Sequence, residues 1–124
     1  MTPRLAIVLA ALLMFAAVGA GAFGAHALKS RLAPDMMSTW QTAVLYHALH
    51  ALGLFGLALL MFHWSDRTDL AIGGWLMIAG IVLFSGSLYA LALTGNRALG
   101  AITPFGGIAF LVAWLVLAWA AFRT

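Results

Sequence analysis

Hydrophobic positions fall in four long blocks, and charged positions lie only between them. The blocks Leu5–Leu28, Trp40–Phe62, Leu70–Leu93 and Pro104–Phe122 hold 24, 23, 24 and 19 residues, none of them Asp, Glu, Lys or Arg. A helix crossing the hydrocarbon core of a bilayer needs about 20 such residues. In lipid only a helix or a closed barrel satisfies its own backbone. Barrel strands alternate in polarity over about ten residues, and these blocks do not alternate. The pattern therefore predicts an all-α, four-helix transmembrane bundle with helices over residues 5–28, 40–62, 70–93 and 104–122. Short loops make sequential helices antiparallel neighbours, and residues 1–124 form a single integral membrane domain.

The punctuation between blocks is specific. Lys29–Thr39 joins the first two helices, with Pro34-Asp35 read as a stop, and His63–Asp69 joins the next two. Thr94–Thr103 leads into the last helix. Gly95-Asn96 reads as a helix end, and Thr103-Pro104 as an N-cap followed by proline in the first turn. Ala98–Ile102 is apolar within that loop and is expected in the membrane interface. Arg4, the apolar stretch after it and Ala20-Gly21-Ala22 also resemble a secretory signal peptide. The apolar run continues to Leu28, longer than the usual signal core, which argues against cleavage.

Composition sharpens the picture by exclusion. The chain is 65% hydrophobic and 7% charged, where a soluble domain carries about 25% charged residues. Its mean hydropathy is +1.09. A soluble domain of this size cannot hide so much apolar surface, and a disordered chain would be polar. The net charge of +3 comes from six scattered Lys and Arg against three Asp. No basic stripe exists, so no nucleic-acid partner is expected. Without cysteine there are no disulfides and no thiolate ligands.

Charge does not orient the bundle. Let side A be the side of the first and third loops, and side B that of both termini and the second loop. Lys29, Arg31 and Arg97 fall on side A, and Arg4, Arg67 and Arg123 on side B. The positive-inside rule makes no choice at three against three, and such a balance permits insertion both ways.

Small residues suggest how the helices meet. Ala16, Ala20 and Gly24, with Ala17, Gly21 and Ala25 beside them, recur at helical spacing in the first block. Gly53, Gly56, Gly73, Gly74, Gly80, Gly106 and Gly107 continue the theme. Such ridges let helix backbones approach in lipid. They are expected to form seams within one bundle, with an oligomer face as the rival. Trp40 and Trp64 bracket the second helix as expected interface anchors, and Trp119 and Phe122 beside Arg123 read likewise. Trp75 and Trp114 lie deeper and are expected to pack.

Polar side chains concentrate in one half. The side A half receives His26, Gln41, Thr42, Tyr46, His47, Ser85, Ser87, Tyr89 and Thr94, and His50 lies near the midplane. Apart from three tryptophan indoles, the side B stretches offer no polar side chain. Polar groups in lipid face the bundle or a wet cavity. The candidate site is thus a polar pocket of His26, Tyr46, His47, His50, Ser85, Ser87 and Tyr89, open to side A over a dry floor. His47 and His50, three residues apart, share one face of their helix.

The ordinary use of such residues is interhelical hydrogen bonding. A proton-sensitive or ligand-binding pocket is the sharper reading. Histidine alone, without carboxylate or thiolate, makes a poor metal site. Two histidines on one helix face cannot ligate opposite faces of a haem. Ser85-Gly86-Ser87 lacks the glycines of a nucleophile elbow, and no intramembrane acid can orient a histidine. No metal or other cofactor and no enzymatic activity is expected.

Four ordered strings carry a resemblance: Gly21-Ala-Phe-Gly-Ala-His-Ala-Leu28, Tyr46-His-Ala-Leu-His50, Phe84-Ser-Gly-Ser-Leu-Tyr89 and Thr103-Pro-Phe-Gly-Gly107. Together they resemble the YgdD-like family of small bacterial inner-membrane proteins, which has eukaryotic transmembrane relatives. The resemblance implies a four-helix, multi-pass protein of the bacterial inner (plasma) membrane and supplies no activity or substrate. The leading expectation is a non-enzymatic accessory or scaffold protein that binds lipid or another membrane protein, or associates as a homo-oligomer. The alternative is a small transporter or channel using the histidines. Third comes a lipid or quinone enzyme with His50 as acid–base group.

Overall fold

The computed structural model describes residues 1–124 and is entirely helical. Four helices are long and apolar enough to cross a membrane. Helix α1 spans Pro3–Leu28, with its last five residues, Gly24–Leu28, wound as a π turn. Helix α2 spans Pro34–His63. Helix α3 spans Thr68–Thr94 and carries a second π turn at Ile81–Ser85. A short 3₁₀ turn, Arg97–Ala101, leads into α4, Thr103–Phe122.

Helix ends follow local chemistry, with two corrections. Thr2 caps α1, its Oγ1 accepting from Leu5 N–H at 3.2 Å. Pro34 opens α2 instead of stopping α1. Proline in a first turn costs no hydrogen bond, and the Asp35 carboxylate suits the positive end of the helix dipole. Half of the expected first loop is therefore helix, and α2 reaches about 45 Å at 1.5 Å per residue. Gly95 ends α3 in the left-handed region, φ 71°, with its N–H on the Leu91 carbonyl at 2.8 Å. Thr103 is not a cap: it lies inside α4, with its hydroxyl turned to Ser87 on α3.

Helix α1 packs along α2, α4 packs along α3, and α2 meets α3 in the middle. Toward side B the four helices converge on one apolar cluster that includes Ala6, Ala10, Leu54, Leu57, Leu70, Met77, Ala113 and Ala120. No polar side chain belongs to that buried cluster.

Glycines set the distances. The Gly106 Cα faces the Phe84 backbone so closely that any Cβ would collide with it, and the Phe110 ring occupies the place of a Gly80 Cβ. A Cβ on Gly73 would stand 3.2 Å from Leu57. These seams lie within the chain, while Gly19 and Gly56 face open space.

Three tryptophans differ from expectation. Trp40 is buried, not interfacial, because Gly24 leaves a socket for its indole. Trp75 is half exposed rather than packed, and Trp114 is nearly as exposed although its indole N–H reaches His50. Trp119 does sit outward, stacked on Phe122 with Arg123 over its ring. The outer faces of α1 and α4 present Phe15, Val18, Leu111 and Leu115, a surface stable only against hydrocarbon.

Charges close both ends. On side B, Arg67 makes two hydrogen bonds to Asp69, at 3.1 and 2.7 Å, and also donates to the Ala120 carbonyl and the Thr124 hydroxyl. It ties the second loop to the end of α4. On side A, Arg97 and Asp35 lie 3.4 Å apart and are both exposed, a geometry that contributes little.

Candidate functional site

Of the polar residues of the side A half, His47, His50, Ser85 and Ser87 are buried, and they do not line one pocket. They separate into four hydrogen-bonded contacts between different helices.

The first contact joins α2, α3 and α1. His47 is buried, and its Nδ1 meets the Tyr89 hydroxyl of α3 at 2.9 Å. Tyr89 lies against Trp40, ring centroids 4.6 Å apart. The Trp40 Nε1–H donates to the Ala20 carbonyl of α1 at 2.9 Å. That carbonyl lies just before α1 loosens into its π turn, and the indole rests on Gly24, the first residue of that turn. The second imidazole nitrogen of His47, Nε2, is buried without a hydrogen bond.

Two serines make the second and third contacts. Ser85 ends the π turn of α3 and is fully buried; its Oγ donates to the Ala43 carbonyl of α2 at 2.8 Å. Ser87 donates to the Phe84 carbonyl at 2.9 Å. With that proton committed, the 2.6 Å contact between Ser87 and Thr103 is donated by Thr103. This bond fastens the start of α4 to α3 where Gly106 admits the Phe84 backbone.

The fourth contact joins α2 and α4 across the midplane. His50 Nδ1 lies 2.7 Å from its own helix's Tyr46 carbonyl, and Trp114 Nε1–H donates to His50 Nε2 at 3.1 Å. A carbonyl can only accept and an indole N–H can only donate. The imidazole is therefore neutral with its proton on Nδ1, and both nitrogens are used. Its ring also stacks on Phe110, centroids 3.4 Å apart.

The remaining candidates lie elsewhere. His26 is exposed on the π turn of α1 and joins none of these contacts. Tyr46 is exposed on the His50 side of α2, its ring 6.1 Å from the imidazole and 4.6 Å from Phe84, and joins none of the hydrogen-bonded contacts through its side chain. Sharing a helix face did not bring His47 and His50 to one partner. Three residues turn about 300° around a helix, and the remaining 60° sends one toward α3 and the other toward α4.

Sequence reasoning missed Trp114 as the partner of His50, having assigned its indole to the apolar side B half. It also missed Trp40 and Thr103 as interhelical donors. Both π turns, which often mark functional places in helices, carry no distinguishing composition. No three His, Asp or Glu side chains come together as a metal site would require.

Comparison with known proteins adds the family. A family profile described as "Protein of unknown function (DUF423)" matches residues 20–107, a segment that contains all four strings quoted above. The UPF0382 membrane protein YwdK of Bacillus subtilis is 49% identical over 117 residues, covering 94% of this chain and 95% of that protein. The UPF0382 membrane protein SERP0230 of Staphylococcus epidermidis is 51% identical over 111 residues, 90% of this chain and 89% of its own. One from Staphylococcus saprophyticus is 46% identical over 119 residues, 94% of this chain and 96% of its own. No solved structure matches the chain. With its four spanning helices and this coverage, the chain is an integral membrane protein that belongs to the DUF423 family.

Proposed function

We propose that the chain is a non-enzymatic accessory or scaffold protein of the bacterial inner membrane, acting through its lipid-facing surfaces on a neighbouring membrane protein. The YgdD-like resemblance supports the choice of membrane. The observation that carries the reading is how the polar half spends its hydrogen bonds. Ser85, Ser87, Thr103, Trp40, Trp114 and both nitrogens of His50 are committed between or within helices. Groups so engaged cannot move a solute without breaking the bundle. Almost nothing stands outside the membrane, so contact area is available chiefly on the outer faces of α1 and α4, where Phe15 and Leu115 project.

A photo-crosslinking residue in place of Phe15 or Leu115, in cells, tests the reading. A discrete adduct with one other membrane protein is the expected result. Proteoliposomes should dissipate a pH gradient no faster than empty ones. Flux that disappears in His47→Ala would overturn the proposal in favour of the transporter alternative, because His47 is buried and its Nε2 makes no hydrogen bond within ordinary geometry.

A further inference from the structure

One helix of the bundle is held more lightly than the others. Helix α1 is the least buried of the four and packs chiefly along α2. Its one side-chain hydrogen bond to the rest of the chain is Trp40 to the Ala20 carbonyl, just before the π turn. Two turns further along both antiparallel helices, seven residues back from Ala20 and seven on from Trp40, Leu13 comes level with His47. The Leu13 carbonyl stands beside the imidazole, yet the buried Nε2 closes no hydrogen bond. On the α3 side, Nδ1 meets the Tyr89 hydroxyl at 2.9 Å. Helix α3 therefore holds the ring by a bond, while α1 only covers it, leaving His47 5% exposed.

No counter-charge is at hand for this ring. Helix α1 brings the Leu13 carbonyl and no titratable side chain, and α3 brings Tyr89. On α2 itself Tyr46 and His50 are the titratable neighbours, and both are turned toward Phe110 of α4. Helix α4 contains no titratable side chain at all. The nearest acid on α2, Asp35, lies twelve residues back, about 18 Å along the axis. A second proton would make His47 a buried cation without a partner, which is costly. Moving α1 off α2 would let water reach Nε2 and remove most of that cost. His50 is placed differently. Both of its nitrogens are bonded, and its ring sits between α2 and α4, where a displacement of α1 does not uncover it.

We infer that His47 is a proton-operated latch on α1. With the ring neutral, α1 lies closed along α2. Acidification captures the conformer in which α1 stands away from His47 and water hydrates the imidazolium, with the Trp40–Ala20 bond as the pivot. A ligand that binds only one conformer shifts the population toward it, and here the ligand is a proton. The proton comes from water and returns to water on neutralisation, and no solute crosses the membrane. The latch operates with or without a protein partner on the outer face of α1.

Pulsed electron paramagnetic resonance tests it, on the full chain at one copy per phospholipid nanodisc. The chain has no cysteine, so Phe15→Cys on α1 and Leu111→Cys on α4, both at exposed positions, carry the only nitroxides. One distance is expected at pH 8. A second, longer distance should appear between about pH 7 and 5, the range in which histidine takes up a proton. Its ratio to the first should rise about tenfold per unit of pH, the slope for one proton bound only by the open form. His47→Gln, which stays neutral, should abolish the longer distance. His50→Gln and His26→Gln should keep it. Nitrogen-15 NMR of the unsubstituted chain should find the His47 ring doubly protonated over that same range of pH. A distance that ignores pH, or a longer distance that persists in His47→Gln, would overturn the inference. So would loss of the transition in His50→Gln or His26→Gln, or a His47 ring that charges while the distance stays fixed.

Discussion

The two halves of this bundle are held by different means. Toward side B, Leu54, Leu57, Leu70 and Met77 meet alanines and glycines, and buried contact is purely steric. Toward side A, each helix pair also carries a directional bond: Trp40 to Ala20, His47 to Tyr89, Ser85 to Ala43, Thr103 to Ser87. In lipid there is no hydrophobic force between helices, so close packing and hydrogen bonds must do the holding. The steric half tolerates exchange of one apolar residue for another of equal volume. The bonded half fixes which residue faces which.

Mutations can break or sharpen this contrast. The largest effect is expected at the close α3–α4 seam beside the Ser87–Thr103 bond. Gly106→Leu would drive a side chain into the Phe84 backbone. It should lower stability by about 3 kcal/mol or more, as severe overpacking does, read by thermal unfolding in detergent. Gly107→Ala, one position on, should stay within about 0.5 kcal/mol of the parent. Within the steric half, Leu57→Ala leaves a cavity without exposing surface to water. Its cost should be about 2 kcal/mol, the packing part of a soluble-core truncation.

In the bonded half smaller numbers are expected. A double-mutant cycle of His50→Ala and Trp114→Phe should give a coupling of about 0.6–1.7 kcal/mol, the range for interhelical bonds in membranes. Equal costs that simply add would remove that bond from the account. The smallest effect belongs to Asp35→Asn. It breaks the exposed pair with Arg97 and should change stability by less than about 0.5 kcal/mol, less still at high salt.

Much of this was legible in the chain, for physical reasons. The spans were visible because lipid forbids charge, and the seams because glycine and alanine allow close approach. Gly95 was visible as an end because few residues accept its backbone angle. The start of α2 was misplaced because Asp35 belongs to the first turn of a helix that projects beyond the hydrocarbon. Trp40 reads as an anchor by position, and only the socket at Gly24, reached through tertiary packing, turns it inward. The polar half was legible as a set of residues but not as an arrangement. Hydrogen-bond partners such as Trp114 for His50 depend on how α2 and α4 are placed by the π turn of α3, and nothing local in Ile81–Ser85 announces that turn.

Nitrogen-15 NMR of histidine-labelled protein in bilayers measures the central claim, that the polar half is spent on holding helices together. For His50 it should find a neutral ring with the proton on Nδ1 and a hydrogen-bonded, unprotonated Nε2. A proton on Nε2 would mean that Trp114 is not its partner, and the bonded half as described would be wrong.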